Sequence, residues 1–276
     1  MKQTHTSSQA FSSPCRRALT AVTLCALVTG AISCEQTTSR DRLALHELSP
    51  GLSYGSVTPR FGKGPAVLTH VLSLDPKRWS LVHVDAKQTK RKLSDAAGFR
   101  EAANAVAAVN GIYFDPEYRP LGLMVSEGQQ KSPLRRVDHG VFTLSARGAE
   151  IQHAKAYQAP KDLDFAAECG PRLVVDGKPL EFKPGLARRT AIGFDNEGQI
   201  YLVITSGVIG LGNFADFLAR PKEQNGLGLH GALNLDGGSS TMFDLQTSAR
   251  RARVRSAVLV PTGIAVKARR KPSSTK

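Results

Sequence analysis

The sequence predicts an α+β fold, in which a strand-rich, mixed or largely antiparallel sheet packs with a few helices. Short apolar or alternating segments recur along the chain, hairpin turns separate many of them, and regular strand–helix alternation is absent. The 25 glycines and 15 prolines among 276 residues favour a turn-rich protein over a helical bundle. Hydrophobic residues make up 41% of the chain, which is enough for a packed core.

The individual elements follow from period-two patterns, apolar runs and turn residues. Helices are predicted over residues 93–105, with Ser94 as N-cap, and over residues 214–219, with Asn213 as N-cap. Asp176-Gly177 and residues 196–198 have the composition of hairpin turns. Strands are predicted at 66–74, 79–84, 106–109, 121–126, 141–144, 172–175, 190–194, 200–205, 232–235, 254–260 and 263–266.

The net charge of +14 lies almost entirely at the two ends of the chain. Residues 1–33 contribute +3 and residues 245–276 contribute +9, and neither segment contains an acidic residue. The body is therefore nearly neutral, and we predict no nucleic-acid partner despite the basic isoelectric point. A basic tail is typical either of a segment that binds an anionic surface or of a solvated chain end.

The first 33 residues resemble an export signal. Arg16-Arg17 precede an apolar run, residues 18–32, that is shorter than the roughly 20 residues of a membrane span. Small residues precede Cys34, as in a bacterial lipoprotein signal, so we expect Cys34 to carry a lipid anchor; cleavage nearby without lipidation is the alternative. The predicted location is the bacterial cell envelope, periplasmic or on the surface.

The predicted organisation is an export signal (1–33), a polar tether (34–45), one domain (46–267) and a basic tail (268–276). After signal removal only Cys34 and Cys169 remain, so a lipidated Cys34 leaves Cys169 unpaired. If Cys34 is not lipidated, a Cys34–Cys169 disulfide is possible. The oligomeric state is not predicted.

Common catalytic signatures are absent from the sequence. It contains neither a phosphate-binding Walker motif, nor a G-x-S-x-G nucleophile elbow, nor H-E-x-x-H, and its histidines lack metal-ligand spacing. We therefore predict no cofactor and no metal ligand, although a supporting divalent metal stays open.

The segment LNLDGGSSTM (233–242) is the strongest candidate for a site. An apolar strand delivers Asp236 at its end, and Gly237 and Gly238 allow the backbone to turn close to a ligand. Their N–H groups can form an anion-binding nest, and three hydroxyls follow at Ser239, Ser240 and Thr241. A solvent-facing Gly-Gly turn is the alternative.

Three further segments place polar groups beside predicted strands. Asn110 begins NGIYF, directly after the strand at 106–109, and its amide can donate and accept hydrogen bonds. Glu168 and Arg172 lie in ECGPR, and Arg189 in RRTAIGF. A guanidinium can hold a phosphate with two hydrogen bonds, although a solvated surface arginine is the common alternative.

Together these segments resemble the phosphodiester glycosidase family, whose members include the uncovering enzyme and bacterial envelope proteins. The matching pieces are NGIYF (110–114), CGPRLVVDGK (169–178), RRTAIGFDNEGQIYLVI (188–204) and ALNLDGGSSTMF (232–243), in the family's order. The resemblance implies that family's strand-rich fold and a glycosidase that cleaves a sugar-1-phosphodiester at the anomeric carbon, releasing free sugar from a glycan. Members often have three glycines after the aspartate, where this chain has two.

On this hypothesis Asp236 is the general base or the carboxylate that stabilises the glycosyl cation, and Arg189 and Arg172 hold the phosphate. Asn110, Ser239, Ser240, Thr241 and the N–H groups of Gly237 and Gly238 position sugar or phosphate oxygens, with Glu168 as a reserve acid or base. A phosphate leaves with little protonation because its second pKa is near 6, so one carboxylate suffices where other glycosidases need two.

Two other functions stay open at this point. A non-catalytic envelope lipoprotein could bind anionic glycopolymers through the same loop and the basic tail. A metal-dependent phosphodiesterase that cuts P–O bonds fits less well, because such enzymes gather several Asp and His ligands.

Overall fold

The computed structural model describes residues 42–61 and 64–269. The predicted export signal, the Cys34 anchor site and most of the tether and basic tail lie outside these residues. The described residues form the two α-helices α1 (Ala96–Ala102) and α2 (Leu211–Ala219). Neither is long and apolar enough to cross a membrane.

Twenty strands are present in the described residues, and all of their pairings are antiparallel. In chain order they are β1 (His46–Ser49), β2 (Leu52–Val57), β3 (Thr69–Leu74), β4 (Trp79–Asp85), β5 (Ala107–Asn110), β6 (Met124–Ser126), β7 (Gln129–Ser132), β8 (Gly140–Ser145), β9 (Gly148–His153), β10 (Leu163–Cys169), β11 (Arg172–Val175), β12 (Lys178–Pro179), β13 (Leu186–Ala187), β14 (Thr190–Phe194), β15 (Ile200–Thr205), β16 (Ile209–Gly210), β17 (Gly231–Asn234), β18 (Phe243–Gln246), β19 (Arg251–Val254) and β20 (Thr262–Ala268).

The strands form three larger sheets and one short ribbon. The eight-stranded sheet has the order β1-β2-β3-β15-β14-β17-β11-β12, and the ribbon pairs β13 with β16. The two five-stranded sheets have the orders β7-β6-β10-β8-β9 and β19-β18-β5-β20-β4. The predicted α+β class with a largely antiparallel sheet is confirmed.

The main core lies where the three larger sheets meet. Leu202 and Leu233 from the eight-stranded sheet, Phe142 and Phe165 from the β8–β10 region, and Ile264 from β20 are fully buried in it. Helix α2 covers the other face of the eight-stranded sheet, and α1 covers the outer face of the β4–β5–β20 sheet through Phe99. Burial of these apolar faces is the main stabilising contribution to the fold.

Both predicted helix caps are wrong. Asp95, not Ser94, accepts the Gly98 N–H at the start of α1, and α2 begins after Gly210, which places Asn213 inside the helix. The predicted strand at 254–260 is also wrong, because β19 occupies Arg251–Val254 and the Ala257 N–H then donates to the Ser239 carbonyl. Apolar character alone does not separate a strand from a buried or partly exposed connection.

Gly263 tests the packing of α1 on its sheet. A Cβ at this position would overlap the Phe99 ring and lie 2.9 Å from the Val109 carbonyl oxygen. We expect Gly263→Ala to lower the free energy of unfolding by about 1–3 kcal/mol, the usual range for overpacking, in urea denaturation monitored by circular dichroism. Gly212→Ala is the control, since open space surrounds that helical position and alanine there should raise stability by up to about 1 kcal/mol. Equal changes in the free energy of unfolding for the two substitutions would contradict the close packing of Phe99 on Gly263.

Candidate active site

The segment after β17 forms a tight loop beside β5 and β14. Asp236 follows the strand by two residues, and Gly238, with φ of +60°, turns the chain into the short 3₁₀ turn Gly238–Ser240. This φ lies in the left-handed region that glycine adopts without steric cost. Residues 236–242, called the glycine loop below, therefore have the sharp turn that the sequence predicted.

Asp236 is half-buried at the head of the loop, where its Oδ1 accepts the Gly237 N–H at 2.8 Å. Burial raises the pKa of Asp236, and the hydroxyl of Ser240 and the Gly237 N–H partly offset that rise. A desolvated carboxylate with a raised pKa is typical of a general base or of a group that stabilises developing positive charge. The position and electrostatics of Asp236 thus suit the predicted role, which itself stays a prediction.

Asn110 is fully buried and holds the glycine loop in place. Its Nδ2 donates to the Asp236 carbonyl at 2.6 Å, and its Oδ1 accepts the Thr190 hydroxyl at 2.8 Å and the Met242 N–H at 3.3 Å. The amide is thereby occupied within the protein. The prediction that Asn110 contacts substrate oxygens is corrected by this geometry: Asn110 is a positioning residue for Asp236.

The predicted anion-binding nest is also corrected, because the loop N–H groups already have acceptors. The Gly237 N–H donates to Asp236 Oδ1, and the Gly238 N–H donates to the Arg188 carbonyl at 2.8 Å. Of the three loop hydroxyl residues, Ser239 is exposed, Ser240 lies near the Asp236 carboxylate, and Thr241 is fully buried. Ser239 is therefore the hydroxyl residue of the loop that is open to a ligand.

Two consecutive arginines, Arg188 and Arg189, precede β14 and make different hydrogen bonds. Arg188 binds the backbone of the glycine loop and of Arg255: it donates to the Gly238, Ser239 and Arg255 carbonyls at 3.0, 3.3 and 2.7 Å. Arg189 donates to the Gly185 carbonyl at 2.9 Å and the Ile209 carbonyl at 3.3 Å. No carboxylate in the described residues lies within 4.0 Å of either guanidinium. Both positive charges thus remain available to an anion.

Tyr113 links Arg189 electrostatically to Asp236. Burial, Cys169 and Asp236 raise the pKa of Tyr113, whereas Asn234 and Arg189 lower it. The Tyr113 hydroxyl donates to the Gly170 carbonyl at 2.5 Å, and Asn234 Nδ2 donates to the same carbonyl at 2.9 Å. A phenol with a raised pKa stays protonated and neutral at the site.

Sequence reasoning did not select Tyr113, Asn234, Arg188 or His139. The first three lie inside motifs that the resemblance covered, so the motifs were the available signal. His139 lies outside them. Its ring centroid lies 5.8 Å from that of Tyr113, beside Gly170.

Glu168 and Arg172 do not reach the Asp236 carboxylate through any contact in the described residues. Glu168 is fully buried, and its Oε2 accepts the N–H groups of Leu123 and Arg135 at 2.8 and 2.9 Å. The structure therefore corrects the predicted substrate contact of Glu168. The Arg172 side chain packs over Gly140, and its charge contributes to lowering the pKa of Asp138. Its predicted contact with phosphate stays a prediction.

Cys169 is a buried free thiol whose pKa is raised by burial. Within the described residues, no group of three or more His, Cys, Asp or Glu side chains is arranged to hold a metal ion. The chemical groups that this part of the chain brings together are hence a carboxylate, two guanidiniums, a phenol and hydroxyls.

Residues 103–267 match the family model of phosphodiester glycosidases. The chain belongs to this family. The match covers the glycine loop, Asn110, Tyr113 and both arginines, so the candidate site lies inside the family's defining region.

Similar proteins show the fold of the chain but do not identify its substrate. The uncharacterized protein YigE of Escherichia coli K12 is 29% identical over 150 residues, which span 49% of this chain and 57% of YigE. The zebrafish N-acetylglucosamine-1-phosphodiester alpha-N-acetylglucosaminidase catalytic domain, auto-inhibited by its pro-peptide, superposes with a TM-score of 0.60 at 20% identity, covering 81% of this chain and 86% of that one. A hypothetical protein from Synechocystis gives 0.59 at 17% identity, covering 82% and 64%. These two likenesses establish the phosphodiester glycosidase fold.

The buried hydrogen bonds of the Asn110 side chain give a prediction about stability. Asn110→Ala leaves the Asp236 carbonyl and the Thr190 hydroxyl without their buried partner, and each such group costs about 1–3 kcal/mol. We expect urea denaturation to show a loss of that size, whereas Asn196→Ala, in an exposed turn, should change stability by less than about 0.5 kcal/mol. If Asn110→Ala lowered the free energy of unfolding no more than Asn196→Ala, the stabilising role of the Asn110 hydrogen bonds would be refuted.

Proposed function

We propose that the protein hydrolyses a sugar-1-phosphodiester at the anomeric carbon, releasing free sugar and a phosphate monoester, and that it acts on an envelope or extracellular glycan. The observation that carries the proposal is the half-buried Asp236 carboxylate with a raised pKa, in a glycine loop whose carbonyls bind Arg188. Among the described residues, neither Arg188 nor Arg189 has a carboxylate within 4.0 Å. Family membership supports a glycosidase-type hydrolase. The predicted export signal and the predicted lipid anchor at Cys34 support the envelope location.

Arg189 is suited to hold the phosphate. Its guanidinium is anchored on two backbone carbonyls, which fix its direction without neutralising its charge. Burial lowers the pKa of Arg189 from its very high ordinary value and the nearby Tyr113 opposes that effect, so the group stays charged at neutral pH. A fixed positive charge that needs no reorganisation stabilises the charge that develops on a departing phosphate.

Asp236 then acts on the sugar side of the bond. The C1–O bond to the phosphate breaks, the electron pair stays with the phosphate oxygen, and water adds to C1. Asp236 accepts the proton of that water or, before water adds, stabilises the positive charge on the ring. Since Gly237 fixes Oδ1 and Asn110 fixes the backbone carbonyl of the same residue, the carboxylate is held in one orientation.

Asp236→Asn tests the role directly. We expect kcat/KM on the best of a panel of sugar-1-phosphodiesters to fall at least about 100-fold, as for loss of a general base. The melting temperature at pH 7 should stay constant or rise, because the raised pKa means that burial of the charged form opposes folding at that pH. Asp216→Asn, on an exposed position of α2, is the control.

Hydrolysis in ¹⁸O-labelled water distinguishes the bond that breaks. Label in the sugar indicates C–O cleavage and supports the proposal, whereas label in the phosphate indicates P–O cleavage and overturns it. Full activity of the Asp236→Asn protein would eliminate the residue's role. If no diester of the panel is cleaved, a glycopolymer-binding protein becomes the better interpretation.

The pKa of Asp236 gives a second prediction. A base must be deprotonated, so activity should fall as the pH drops through a pKa that lies above that of an ordinary aspartate. The Ser240 hydroxyl lowers this pKa; Ser240→Ala should therefore move the acid limb of the kcat/KM profile to higher pH. Ser239→Ala serves as the control for the loop. A limb unmoved by Ser240→Ala, or one moved to lower pH, would contradict the assignment.

A further inference from the structure

An open depression of about 570 Å³ adjoins the glycine loop at Gly238 and Ser239. Its apolar part, called the apolar floor below, consists of Leu186, Ala187, Val208 and Ala257; Arg188, Gly238, Ser239, Arg255 and Ser256 complete the lining. Seven large hydrophobic side chains are exposed in the described residues. Leu186 is the most exposed of them, at 75%, and Val208 is 50% exposed. Exposed apolar side chains that gather beside a candidate site indicate a surface for an apolar ligand group.

The apolar floor is built on the same backbone that holds Arg189. Strands β13 and β16 pair Leu186 with Gly210 and Ala187 with Ile209. Arg189 donates to Gly185, directly before β13, and to Ile209 in β16. A phosphate bound by Arg189 would therefore lie at the end of this ribbon, and a group attached to that phosphate would meet Leu186 or Val208.

The charge around the depression suits an anion. Arg188 and Arg255 line it, and neither has a carboxylate within 4.0 Å in the part of the chain that the structure describes. The Arg188 guanidinium bonds three carbonyls, which leave its charge intact. Positive charge and an apolar floor in one depression match a molecule with a phosphate head and a hydrocarbon chain.

We propose that the substrate is a lipid-linked sugar-1-phosphodiester, whose hydrocarbon chain lies on the apolar floor. This proposal rests on the proposed function and names its substrate class. Water adds to C1 as the C1–O bond breaks, its proton goes to Asp236 and then to solvent, and the products are free sugar and a lipid phosphate monoester. The leaving phosphate keeps its bond to the lipid throughout.

The experiment compares methyl and decyl diesters of the same sugar 1-phosphate, below the micellar concentration of the decyl compound, with the purified full chain. We expect kcat/KM to be at least about tenfold higher for the decyl diester. Leu186→Ser and Val208→Ser should each lower the decyl-to-methyl ratio at least about threefold. Leu180→Ser, which changes an exposed leucine outside the apolar floor, should leave the ratio unchanged.

A binding measurement separates this proposal from the proposed function. Decyl phosphate and methyl phosphate, which represent the leaving product, are titrated calorimetrically into the Asp236→Asn protein and into its Leu186→Ser derivative. Tighter binding of decyl phosphate that Leu186→Ser weakens supports the apolar floor even if no diester is cleaved. Cleavage of the methyl diester without any decyl preference overturns the lipid proposal and leaves the proposed function standing. Equal affinity for the two phosphates also overturns it.

Discussion

The candidate site depends on one buried amide. Asn110 ends β5 in one sheet, Thr190 begins β14 in another, and Asp236 follows β17; the Asn110 side chain bonds both of the latter residues. Because its donor and acceptor are buried, breaking either bond leaves a polar group without water to replace it. The position of the Asp236 carboxylate is therefore fixed by the contact between two sheets rather than by the loop alone, which allows a loop with two glycines to hold a single geometry.

Hydrogen bonds to backbone carbonyls also position the two arginine side chains near the glycine loop. Three carbonyl bonds draw Arg188 over the loop, and two carbonyl bonds turn Arg189 toward the β13–β16 ribbon, so neither guanidinium is neutralised by an acid in the described residues. Asp236 meanwhile has lost part of its hydration. Fixed positive charges and a partly desolvated carboxylate suit a glycosyl phosphate, which is anionic at its phosphate and develops positive charge at C1 in the transition state.

Sequence patterns predicted backbone elements better than side-chain roles. The bounds of β11, β14 and β15 agree with the predicted strands. These bounds are predictable because apolar patterns and turn residues within a short segment determine where a strand begins and ends. Asn110 and Glu168 were predicted as site residues from their local motifs. Their hydrogen-bond partners, however, come from segments distant in the chain, and only the fold reveals that these partners occupy the two side chains. Tyr113 is the converse case, since its pKa responds to the charges of Arg189 and Asp236, which come from distant segments of the chain.

The raised pKa values of Asp236 and Tyr113 have a common origin, burial in one desolvated region, but opposite consequences. Burial keeps the phenol neutral, so Tyr113 adds no competing negative charge to a place where a phosphate must bind. Burial raises the pKa of the Asp236 carboxylate toward the neutral range, in which a general base works best. A second carboxylate would raise the pKa of Asp236 further and repel the phosphate. In the described part of the chain, the candidate site holds one acid and two arginines without carboxylate partners. An anionic leaving group favours this arrangement, because it does not need the paired carboxylates that alcohol leaving groups require.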